Sequence, residues 1–147
     1  MRDNIHLPQN LLYGLGGIPI RRPGDARKIK DKGKRRKFLE EAKEMNNNAN
    51  AYVEQLFQEG EIVVAHLEGT RTKGEVGPLR KELFDLVLKT EKECDITIPI
   101  IPVGIEYERW GVPFSGIYVR IGKMINTDAE NLVETVRKEI GRLSNIT

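Results

Sequence analysis

"EIVVAHLEGTRTKGEVGPLRKELFDLVLKTEKE", residues 61–93, decides the fold class. β-Branched and apolar residues dominate 61–67, which predicts a short buried strand. Leu79, Leu83, Leu86 and Val87 recur at helical spacing, and Pro78 is tolerated in a first turn, so 77–93 predicts a helix. Between the two stand Glu68, Gly69, Thr70 and Arg71, at the mouth of the strand. A strand leading through a glycine-bearing turn into a helix is the repeating unit of an α/β layer.

The pattern extends in both directions. Downstream, "ITIPIIPVGIEYE" (96–108) is extended and apolar; Pro99 and Pro102 lack ladder donors, so part of it must lie at an edge, a bulge or a strand end. "GIYVRIG" (116–122) predicts another strand. "TDAENLVETVRKEIGRL" (127–143) predicts a closing amphipathic helix, with Thr127 or Asp128 as its cap and Leu132, Val133, Val136, Ile140 and Leu143 inward. Upstream, Ala49, Tyr52, Val53, Leu56 and Phe57 predict a helix that ends at Gly60, and the Asn cluster at 46–50 predicts a turn or cap before it. The stretch from Arg21 to Lys37 predicts a basic loop. The expected architecture is one layered α/β domain over residues 1–147, with a partly parallel sheet flanked by helices. In such sheets ligands sit beyond the carboxyl ends of strands, where Glu68–Arg71 stand.

The bulk composition narrows the function. A length of 147 residues suits a single domain, and 31% charged against 39% hydrophobic residues is an ordinary globular mix. One cysteine, Cys94, excludes an internal disulfide and a Cys-cluster metal site. Two histidines, His6 and His66, are too few for a His-rich metal centre. No apolar run reaches the length of a membrane span, and the first ten residues carry no apolar signal core. The expected location is cytoplasmic, with any membrane contact peripheral, on the inner face. The net charge of +2 conceals an asymmetry: residues 21–37 hold ten basic residues against Asp25 and Asp31, about +8, and the rest of the chain is about −6. A positive stripe of this kind suits a polyanion: a phosphorylated small molecule, an anionic lipid surface or a nucleic acid. Residues 27–37 are the part expected to rest on an anionic membrane.

Two short stretches carry the chemistry. In Glu68-Gly69-Thr70-Arg71, the glycine permits close backbone approach and Thr70 supplies a hydroxyl. Arg71 presents a planar fork that fits phosphate, and Glu68 orients it or accepts from a ligand hydroxyl. In "YGLGGIPIRRP" (13–23), Gly14, Gly16 and Gly17 precede an apolar step and then Arg21-Arg22, a second candidate anion clamp. A surface turn with a local Glu–Arg pair, and a helix stop with a solvated basic loop, are the bland alternatives.

"EGTR" (68–71), "GGIPIRR" (16–22) and "IPIIPVGI" (98–105), in that spacing, resemble three of the four sequence blocks of the glycerolipid acyltransferase family. "YVRIGKMINTD" (118–128) is similar to the segment that follows the fourth block, so the resemblance runs from about residue 11 to the end. It implies an acyltransferase fold and transfer of a fatty acyl group from a thioester, on coenzyme A or acyl carrier protein, to a lysophosphatidate-like or glycerol phosphate acceptor. It implies that Arg21, Arg22, Glu68, Gly69, Thr70 and Arg71 hold the acceptor's phosphate and glycerol, and that Pro99 and Pro102 border the acyl pocket. No cofactor beyond the thioester co-substrate, and no metal, is implied.

The family's catalytic block, His-x-x-x-x-Asp, is not readable. His6 is followed five residues later by Leu11, and only about fifteen residues precede "GGIPIRR". His66 could share a strand face with Glu68, but no partner acid is identifiable for it. His66-Leu67, Pro19 and Glu82 also depart from the family pattern. The expectation is therefore an acyltransferase-like chain missing its N-terminal catalytic segment, with no catalytic residue assigned beyond His66 as a candidate, and inactive alone. Two readings stand beside it: a non-catalytic phospholipid- or phosphate-binding module of the same fold, and a basic domain binding nucleic acid.

Overall fold

A computed structural model describes residues 16–67, 76–108 and 115–145. The chain divides into two compact units, Met1–Gln55 and Leu56–Thr147.

In the first unit, an irregular segment from Gly16 leads into a 3-10 turn, Pro23–Lys28, and then into α1, Lys32–Gln58, whose last residues fall in the second unit. The helix starts where Asp31 caps it: Asp31 Oδ1 accepts from the Lys34 amide at 2.7 Å. Its inward stripe is Phe38, Ala42, Met45, Asn46, Ala49 and Val53, spaced by three, four and seven. This corrects two expectations. Much of the basic stretch is helix rather than loop, and the Asn cluster lies inside the helix rather than capping it. Asn is a mediocre helix former, but Asn46 is held by side-chain bonds and Ala49 is buried, so packing overrides local preference.

In the second unit, α1 ends at Gly60, as the sequence predicts. Gly60 has φ +75°, its amide donates to the Phe57 carbonyl, and the Glu61 amide donates to the Leu56 carbonyl. Residues 61–67 follow without regular secondary structure, not as the predicted buried strand: Ile62 is 88% exposed and Val64 91%. Only Leu67 packs against the core, and its carbonyl accepts from the Arg80 amide at 3.0 Å. Then come α2, Glu82–Cys94, β1, Val103–Tyr107, β2, Ile117–Ile121, and α3, Leu132–Leu143.

Among the described residues the sheet is the antiparallel pair β1–β2, extended by a bridge between Ile100 and Ile125. The predicted partly parallel sheet is absent from these residues. The short stretch between the strands lets the chain double back, whereas a parallel partner needs a long crossover. Val76, Leu79 and Phe84 meet Leu132 and Val136 of α3 in one cluster, with Ile100, Ile125 and Ile140 around it. The expected inward residues of α3 are thus in place. Its cap is not: Asn131, at φ +52°, precedes the helix, and Thr127 instead donates to Glu91 of α2 at 2.5 Å. Glu91 also accepts from the Ile98 amide at 2.6 Å, which fixes the start of the extended stretch to α2.

Candidate functional site

The glycine-led segment is placed against α1 by its backbone. The Arg21 amide donates to Asn46 Oδ1 at 2.9 Å, and Asn46 Nδ2 donates to the Arg21 carbonyl at 2.9 Å. Gly16, at φ +78°, takes up a left-handed conformation where a side chain would be strained. An open groove of about 500 Å3 lies between this segment and α1. Ile18, Pro19, Met45, Ala49 and Tyr52 give it apolar walls, and Arg21, Glu41, Glu44 and Asn48 give it polar ones. Such a groove can hold an apolar chain with a polar end.

The two arginines of the segment have different fates. Arg21 donates through its guanidinium to Glu41 at 2.7 Å, and the guanidinium lies 5.5 Å above the Phe38 ring. A carboxylate this close opposes a second anion, so Arg21 is a poor phosphate ligand as it stands. Arg22 is exposed and makes no ion pair among the described residues, which leaves its full fork available. The structure therefore separates residues that the sequence reading grouped. Glu41 and Asn46 were not singled out there; they sit twenty and twenty-five residues from Arg21, and no local signal links them.

Glu68, Gly69, Thr70 and Arg71 lie outside the described residues, as does His6. His66 is exposed, and among the described residues no hydrogen bond or ion pair reaches its side chain. Pro99 is exposed. Pro102 is buried just before β1, as expected for a proline at a strand end; its carbonyl accepts from the Gly122 amide at 2.9 Å. A side chain at Gly122 would come within 2.9 Å of the Pro102 ring.

The model of the family described as Acyltransferase matches residues 3–106. The chain belongs to the acyltransferase family. The three blocks at 16–22, 68–71 and 98–105 all fall inside the acyltransferase match. No curated protein and no solved structure matches the chain. Membership gives an acyl donor and an acceptor as substrates in general. No helix among the described residues is long and apolar enough to cross a membrane.

Proposed function

We propose that this acyltransferase domain acts in phospholipid synthesis, taking a fatty acyl group from acyl-coenzyme A or acyl carrier protein to a lysophosphatidate-like acceptor. In that reaction the acceptor hydroxyl oxygen attacks the thioester carbonyl. A C–O bond forms, the C–S bond breaks, and the thiol leaves with the hydroxyl's proton. Arg22 and Arg71 bind the acceptor phosphate as charge-assisted donors, and Glu68, Gly69 and Thr70 shape the glycerol site. Arg21 contributes by lining the groove between its own segment and α1, and Pro99 and Pro102 border the acyl chain. The observation that carries the reading is Arg22, exposed and without an ion pair among the described residues, at the end of a glycine-led segment inside the family match.

Calorimetric titration with lysophosphatidate tests it. Arg71→Ala is expected to weaken binding by about 1.5–3 kcal/mol, the scale of a lost charge-assisted bond. Unchanged affinity removes Arg71 from the role. No turnover is expected from this chain alone, because phosphate anchoring without a general base leaves the hydroxyl a weak nucleophile. Binding without turnover in any longer form would favour the non-catalytic module. Robust turnover by this chain would assign the base to His66 or His6.

A further inference from the structure

The first six residues of α1, 32–37, are all exposed, and burial along the helix begins only at Phe38. Roughly 9 Å of helix therefore stands clear of apolar cover. Lys32, Lys34, Arg35, Arg36 and Lys37 occupy it and, at 100° per residue, point to every side. This is the wrong end for them. A helix N-terminus carries the positive pole of the macrodipole, and cations there oppose folding. Within the helix the first turn holds no acid, so beyond the cap at Asp31 nothing offsets the cations at the positive pole.

Internal pairing does not account for the cluster. Arg36 meets Glu40 at 2.9 Å, Lys37 lies 3.9 Å from Glu41, and Lys28 meets Asp25 at 3.3 Å. Arg22, Arg27, Lys30, Lys32, Lys34 and Arg35 are exposed and make no ion pair among the described residues. The fold neither needs these charges nor neutralises them.

We propose that this cationic helix end, with Lys30 directly before it in the chain, forms a docking surface for an anionic lipid bilayer. Charge complementarity argues for a polyanion, and the distribution argues for a flat one. Cations that ring an exposed helix end can meet a plane end-on. A nucleic acid would be tracked by a stripe along one side, with aromatic rings free to stack on bases, whereas Phe38 is already occupied by Arg21. The proposal stands on charge and exposure and does not depend on the acyl-transfer reading.

Vesicle co-sedimentation of the full chain tests it, with phosphatidylcholine vesicles against vesicles carrying about one-third phosphatidylglycerol, an anionic content that sets up the surface field. The chain is expected to partition onto the anionic vesicles alone, less so as salt rises. The triple variant Lys30→Glu, Lys34→Glu, Arg35→Glu is expected to lose at least about a hundredfold in partitioning, about fivefold for each cation removed. Its melting temperature should be equal or higher, since acids now face the helix N-terminus. None of the three residues belongs to the proposed acceptor site, so lysophosphatidate affinity below its micellar concentration should be unchanged. A melting temperature that falls with the binding would make the cations structural and overturn the proposal. So would equal binding to neutral vesicles, no vesicle binding at all, or tight salt-sensitive binding to duplex DNA in its place.

Discussion

The two faces of the β1–β2 hairpin are built in opposite ways. On one face Gly104, Glu106 and Arg120 lie against the end of α3. Arg120 donates to the Leu143 carbonyl at 2.9 Å and pairs with Glu106 at 2.7 Å, Asn145 donates to Glu106 at 2.9 Å, and the Ile105 amide donates to Ser144 Oγ at 3.2 Å. On the other face three cross-strand pairs, Val103–Ile121, Ile105–Val119 and Tyr107–Ile117, are all apolar and all exposed. The lesson is that the apolar side is not the anchored side. Anchoring to α3 comes from close backbone approach and specific polar bonds, while the hydrophobic side chains of the other face stand exposed.

The largest break in that contrast is Gly104→Ala. The new Cβ would lie 2.5 Å from both the carbonyl carbon and the Cβ of Leu143 and 2.7 Å from the Ser144 amide nitrogen, and backbone cannot swing aside. Urea unfolding should show a loss of about 1–3 kcal/mol, the range for overpacking a tight contact. A neutral result would mean that the anchored face is looser than described. On the opposite face, Ile121→Thr at a 72% exposed position should change stability by less than about 0.5 kcal/mol. A larger loss would show that the apolar face is covered in solution. The smallest effect lies on the outer side of α3. Hydrogen bonds from Arg142, 2.6 and 2.8 Å long, and its charge hold the Glu139 carboxyl below its ordinary range, partly offset by desolvation. Because the folded-state value is lowered, the stabilisation is present at neutral pH and is lost as pH falls through that lowered value. A carbon-detected NMR titration should place the Glu139 midpoint below that of a free glutamate, and Arg142→Ala should move it back up.

How much of this the sequence disclosed follows from what local pattern can encode. The inward residues of α3 were readable because Leu132, Val136 and Leu143 repeat at a period that only a helix satisfies. The stop at Gly60 was readable because a left-handed residue has few candidates. The run at 61–67 misled because "EIVVAHL" records a preference for extended backbone, while burial depends on a neighbour that no local window contains. The start of α1 was missed since the basic residues mask a stripe that only becomes visible from Phe38 onward. At the candidate site, the glycine-led segment and its arginines were legible, as was the family to which they point. The division of labour between Arg21 and Arg22 was not, because the partners of Arg21 lie on a helix more than a dozen residues away.

The attachment of Arg21 to Asn46 has an evolutionary corollary. One carboxamide reads both the backbone donor and the backbone acceptor of a single residue, as a neighbouring strand would, and ignores the side chain that residue bears. Location and reactivity at position 21 are thereby uncoupled. Drift could retune the ligand preference of the groove by exchanging that side chain, with the loop still tethered where it is.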